Sequence, residues 1–279
     1  MPIGLLKIQL NSTRFFLHKL RINQLLSPQQ IINYEAPSNL LQDRVILVTG
    51  AGDGIGKAAA IAFAQAGAEL ILAGRTVDKL EQVYDQIIAS GGKEPAIYPI
   101  DLEGATEQDY EQLASSCDQQ YGRLDGLLLN AGILGQRTPL NHYRQDVWDK
   151  VIRVNLTSQF QITQALMPVL EKAEDASILF TSSGVGRVGR AFWGAYAVSK
   201  FATEGLVQTW ASELEEINSV RINCINPGAT STNMRAQAFP AENPQSIASA
   251  DDIMPAYLYL MGPDSSSVNG RSIEAQIKG

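Results

Sequence analysis

From residue 41 onward, short apolar runs alternate with longer stretches in which apolar side chains return every three or four positions. The runs at 44–49, 69–73, 96–100, 124–129, 177–181, 220–225 and 271–274 predict strands. The stretches at 54–66, 77–89, 107–120, about 146–170, 195–217 and near 251–261 predict helices. Val45-Ile46-Leu47-Val48 is apolar at every position, as a strand covered by helices on both faces requires. Strand–helix alternation at this spacing predicts an α/β fold, a doubly wound parallel sheet with right-handed crossovers and helices on both faces. No internal repeat or low-complexity linker interrupts it, so 41–279 is expected to be a single domain.

Residues 1–40 break this rhythm. They hold Lys7, Arg14, Lys19 and Arg21 against one acid, Glu35. Ser12 is placed to cap a short helix through Phe16, Leu20 and Leu26 that Pro28 would stop. The stretch is expected to be a poorly ordered extension; organellar targeting and oligomer docking stay open as alternatives.

Composition narrows the chemistry. Apolar residues make up 45% of the 279 positions, enough for a sizeable core. The net charge of −7, which becomes −10 once the first forty residues are set aside, argues against a nucleic-acid partner. Two cysteines, Cys117 and Cys224, cannot build a disulfide framework or a four-cysteine zinc site. Two histidines, His18 and His142, leave little room for a histidine-based metal centre or hydrolase triad, and no metal is expected. No apolar run reaches the length of a membrane span, so a cytoplasmic protein is expected. The chemistry is left to Tyr, Ser, Lys, Asn or a cofactor.

The first predicted strand runs into Thr49-Gly50-Ala51-Gly52-Asp53-Gly54-Ile55-Gly56, and a helix follows. Glycines at a strand-to-helix turn let backbone N–H groups approach a pyrophosphate at the helix N-terminus. A glycine-rich turn alone is a weak signal, but placed between a buried strand and an alanine-rich helix it predicts a Rossmann-type dinucleotide site. The second strand ends in Ala73-Gly74-Arg75-Thr76, without the carboxylate that would hold the ribose 2′-hydroxyl of NAD. Arg75 can instead meet a 2′-phosphate, which favours NADP(H) over NAD(H), although a solvated surface arginine is the ordinary alternative. Asp101, followed by Leu102, closes the third strand and either meets the adenine amino group or caps the next helix.

Tyr196 and Lys200 stand four apart at the start of a predicted helix, on one face. Ser183 follows a buried strand, Asn130-Ala131-Gly132 ends another, and Asn155 lies within the long helix. In a parallel sheet the carboxyl ends of the strands open onto one ligand crevice. Pro227-Gly228, with Thr232 beyond it, turns the chain after the sixth strand. The stretch 233–250 has no clear period and is a candidate substrate lid.

In this order the motifs resemble the short-chain dehydrogenase/reductase family over essentially residues 41–279, and 181–190 and 199–205 look like the bacterial YciK-like oxidoreductases within it. The resemblance implies a Rossmann-type sheet of order 3-2-1-4-5-6-7. It implies an NADP(H)-dependent reaction on a small carbonyl or alcohol substrate, with Asn155, Ser183, Tyr196 and Lys200 as the catalytic set. Tyr196 would be the acid–base, Lys200 would lower its pKa and hold the nicotinamide ribose, Ser183 would orient the substrate oxygen, and Asn155 would position a water. The cofactor contacts implied are 49, 50 and 52–56, Arg75, Asp101, Leu102, 130–132, Tyr196, Lys200, Pro227, Gly228 and Thr232. A homodimer or homotetramer is implied as well. A non-catalytic dinucleotide-sensing or interaction protein on the same fold is the alternative, though such proteins tend to lose the Tyr or Lys kept here. An epimerase or dehydratase fits the glycine spacing less well.

Overall fold

Val45–Thr49 forms β1, buried at all five positions. Its side chains alternate between two hydrophobic clusters: Ile46 and Val48 join one face of the sheet, Val45 and Leu47 the other. The chain is described here from a computed structural model, which covers residues 26–214 and 220–277. After β1 come α2 (Gly54–Gln65), β2 (Glu69–Gly74), α3 (Val77–Ala89), β3 (Ala96–Pro99), α4 (Glu107–Tyr121) and β4 (Gly126–Leu129). Then follow α5 (Gln145–Ile152), α6 (Ser158–Leu170), β5 (Ala176–Thr181), α7 (Gly194–Leu214), β6 (Val220–Asn226), α8 (Asn233–Ala238), α9 (Met254–Met261) and β7 (Ser272–Glu274). The seven strands are all parallel, in the order β3-β2-β1-β4-β5-β6-β7. The order reverses between β1 and β4, where a doubly wound sheet opens its ligand crevice.

Three features depart from the sequence-based expectation. First, Pro28 begins a helix rather than ending one: α1 (Pro28–Ile32) is opened by a capping box in which Ser27 and Gln30 satisfy each other's backbone, with Pro28 at its first position. Ile31 is only 2% exposed and joins the main core, and the Tyr34 hydroxyl donates to Asp264 at 2.7 Å. Residues 26–40 are therefore packed on the body of the protein, not an extension from it. The helix expected from Ser12 lies, up to residue 25, outside the described residues. Second, the long helix expected at 146–170 is interrupted. Between α5 and α6, Arg153–Thr157 winds as a π-helix, and Asn155 sits at its centre. Third, 233–250 is not wholly irregular. Thr232 caps α8 by accepting from the Arg235 N–H at 3.1 Å, and Thr230 bridges to Ala248.

Candidate active site

The carboxyl ends of the strands face a cleft of about 530 Å³ lined by the glycine turn, Arg75, Asp101, Asn130–Gly132, Ser183, Tyr196, Lys200 and Thr232. Its floor depends on two close backbone approaches. A Cβ on Gly56 would lie 2.2 Å from the Gly50 carbonyl oxygen, and Gly50 holds φ +67 with Ala131 against it. The turn therefore presents bare backbone at the N-terminus of α2, a shape suited to a pyrophosphate. Thr49 is buried and braces this floor: its hydroxyl donates to Leu128 O and accepts from the N–H groups of Asn130 and Ala131 at 3.0 and 3.1 Å.

Asp53 is not free to repel a phosphate. It caps α2 through the Gly54 N–H at 2.8 Å, pairs with Lys79 at 2.6 Å, and accepts from Asn233 at 3.0 Å. Those hydrogen bonds hold its carboxyl below the usual range against a smaller opposing effect of burial. Lys79 had no signal in the sequence, because its partner lies 26 positions away. Arg75 is exposed at the rim and enters no ion pair among the described residues. Asp101 also lines the cleft while accepting from the Glu103 N–H at 3.2 Å; it closes a turn there, and the next helix is capped instead by Thr106. Leu102 beside it is buried.

The reacting end is built by β5 and α7. Ser183 continues extended backbone past β5, while Tyr196 and Lys200 share one face of α7. Tyr196 is 9% exposed and Lys200 3%. The Lys200 ammonium donates to Thr181 O at 2.7 Å and lies 5.7 Å from the Tyr196 ring centre. Burial pushes the Tyr196 phenol up, and the Ser183 hydroxyl draws it partly back. Burial pushes Lys200 down to about 8, with Cys224 and Glu204 acting the other way. For the phenol, desolvation is the larger effect and the Ser183 hydroxyl the counterweight.

Asn155 is tied to the loop after β4. It is fully buried, and its side chain accepts from the Ile133 N–H at 2.8 Å and donates to Ile133 O at 2.9 Å. It also donates to Ser199 at 3.2 Å. Its amide pins the loop leaving β4. The π turn carries it there, the usual association of such insertions with functional positions.

Sequence reasoning missed the apolar wall around Tyr196. Leu134, Val185 and Ala197 form a small cluster with it, and Trp193, Met234 and Ala238 pack against them. Trp193 lies 5.6 Å from the Tyr196 ring, under the Arg137 guanidinium at 4.3 Å. The wall is assembled from the loop after β4, the segment between β5 and α7, α7 itself and α8, so no local pattern announces it. The Pro227-Gly228 turn is fastened by Gln276 donating to Pro227 O at 2.6 Å and by the Gly228 N–H donating to Asn226 at 3.1 Å. No cluster of metal-ligating side chains occurs among the described residues. No helix among them is long and apolar enough to cross a membrane.

The all-parallel order β3-β2-β1-β4-β5-β6-β7, with a glycine turn at its switch point, defines the class of Rossmann-type dinucleotide-binding folds. Residues 44–243 match the short chain dehydrogenase family. This chain belongs to that family. It is 49% identical to the uncharacterised oxidoreductase YciK of Escherichia coli over 88% of this chain and 96% of YciK. Among solved structures, a short chain dehydrogenase from Pseudomonas syringae is 56% identical, with a TM-score of 0.86 over 87% of this chain and 98% of that one. Another, from Escherichia coli and complexed with NADPH, is 50% identical, with a TM-score of 0.84 over 86% of this chain and all of that one.

Proposed function

We propose that this protein is an NADP(H)-dependent oxidoreductase that interconverts a small carbonyl compound and its alcohol. The observation that carries the reading is the meeting of Ser183, Tyr196 and Lys200, from two different elements, at one end of a cleft whose other end is the bare glycine turn. When bound, the dinucleotide supplies or accepts the hydride. The backbone of 50–56 would hold its pyrophosphate, the Asn130–Gly132 and Pro227-Gly228 loops its nicotinamide half, and Arg75 its 2′-phosphate.

Ser183 would hydrogen-bond the substrate oxygen and so fix it beside Tyr196. In the reductive direction Tyr196 gives that oxygen a proton, and the burial that keeps the phenol protonated suits it to donate. The Lys200 ammonium stabilises the phenolate left behind. Asn155 acts one step removed, by holding Ile133 and hence the loop that walls the nicotinamide site. Phe160, Val198 and Phe201, exposed on α6 and α7, supply apolar surface for the expected homodimer or homotetramer.

NADPH and NADH titrated side by side, read by thermal shift, test the cofactor. NADPH should stabilise the protein at lower concentration. Arg75→Asp should weaken NADPH by about tenfold to a hundredfold, the loss of about 1.5–3 kcal/mol, and leave NADH little changed. Equal response to both dinucleotides in the wild type would remove the 2′-phosphate role, and no response to either would favour a non-catalytic interaction protein over any dinucleotide-using reading. A screen of ketones and aldehydes with the preferred cofactor then tests turnover.

A further inference from the structure

Glu204 is 8% exposed, carries a carboxylate into the interior, and has no part in the chemistry described so far. It stands four positions after Lys200, itself four after Tyr196, so the three form one row along α7. Its Oε1 accepts from the Ser182 hydroxyl at 2.5 Å, from the Ser272 hydroxyl at 2.8 Å, and from Arg187 Nε at 3.4 Å. We propose that Glu204 is a positioning residue of the reaction, fastening the strand end that carries Ser183 to the helix that carries Tyr196 and Lys200.

The geometry explains why a charge is used here. Along extended backbone successive side chains point to opposite sides, so holding Ser182 beneath β5 aims Ser183 into the cleft. Ser182 is anchored twice, since its N–H also donates to Ile225 O at 2.7 Å. Charge-assisted hydrogen bonds are roughly twice as strong as neutral ones, which suits a contact that must fix register between a strand and a helix. The same network runs on to the cofactor side. Arg187 also pairs with Glu274, Glu274 accepts from Asn226 Nδ2 at 2.7 Å, and Asn226 Oδ1 receives the Gly228 N–H. One partly buried polar chain therefore links the Ser183 strand, the Lys200 helix and the Pro227-Gly228 turn.

Glu204 also bears on Lys200 through its charge. The groups facing the pair are Tyr196 on α7, the Cys224 thiol on β6, Arg187 in the loop after β5, and Glu274 on β7. Burial, with Glu204 adding to it, pushes the Cys224 thiol up, so it stays protonated and leaves Glu204 as the anion nearest Lys200 on its own helix.

This inference rests on the oxidoreductase reading, and its test separates the two. Glu204→Gln keeps the shape and removes the charge; Ser182→Ala removes the donor and keeps the charge. In the full chain with NADPH, Glu204→Gln should lower kcat by about tenfold or more while KM for NADPH changes by less than about threefold. The alkaline limb of its kcat/KM profile should move to lower pH, and the Lys200 side-chain NMR titration should move with it. Ser182→Ala should lower kcat and leave the Lys200 titration in place. Wild-type kcat and wild-type Lys200 titration in a folded Glu204→Gln protein overturn the proposal. If that variant does not fold, Ser182→Ala and Ser272→Ala decide, and unchanged kcat in both overturns it. If the wild type turns over no carbonyl compound, the oxidoreductase reading fails, and the NMR titration alone decides whether Glu204 governs Lys200.

Discussion

Tyr196 can act as an acid–base only if its proton leaves and returns, and its surroundings decide which direction is easier. Burial favours the neutral phenol and Ser183 opposes it, so the resting side chain is a proton donor aimed into the cleft. Tyr196→Phe removes the donor but keeps the ring against Trp193 and Leu134. Turnover should fall by about 10²–10⁴-fold, the usual worth of a positioned acid–base, while NADPH affinity stays within about twofold. Steady-state rates and the thermal-shift titration check the two halves, and retained turnover would remove Tyr196 from the mechanism. At this scale the sequence was informative because the residue types are chemically distinctive. Tyr196, Lys200 and Ser183 follow predicted elements at spacings that place them on one crevice. What it could not show is which partners claim each side chain. Asn155 reads as a polar residue in a helix, and only the fold reveals that both ends of its amide are spent on Ile133.

Among the elements, those with unbroken apolar periodicity were legible: all seven strands, and the helices that cover them, stand where the pattern puts them. The misses share a physical cause. A π turn adds one residue to a helix without breaking its apolar face, so 153–157 looks like ordinary helix in sequence. A helix of six residues such as α8 is too short to show a period, and α1 is set by its Ser27–Gln30 box rather than by amphipathicity. The π turn matters because it carries Asn155 toward β4. Asn155→Ala would strand the partly buried N–H and C=O of Ile133, at a cost of about 1–3 kcal/mol, and loosen the 130–133 loop. The expected result is a lower urea midpoint together with weaker NADPH binding. A variant that loses stability but binds NADPH as the wild type does would show that the loop is held independently of Asn155.

Across the whole molecule, the same burial that tunes the site makes stability depend on pH in a particular direction. Lys200 is pushed down to about 8, against 10.5 in the open chain. Between those values the unfolded chain binds the proton that the fold has released, so stability rises with pH there. The thiol of Cys117 works oppositely: burial lifts it from 9.0 to about 11, so above pH 9 the unfolded chain has lost a proton the fold retains, and stability falls. Tyr121, pushed up from 10.0 to about 12, adds to that loss at still higher pH. The Cys224 thiol, likewise lifted by burial, adds to the loss above pH 9, so the sum is a shallow gain between about pH 8 and 9 followed by a decline. Lys200→Met isolates the first effect, since it replaces a buried ammonium with an apolar chain of similar length at the expense of one hydrogen bond to Thr181 O. At pH 7 the inactive variant should be more stable than the wild type by about 1–3 kcal/mol. The gap should close as pH approaches 10, where the wild-type lysine is neutral in the fold as well. Denaturant midpoints taken from pH 7 to 10 would test this, and a gap that does not change with pH would mean that Lys200 stays charged in the folded protein throughout.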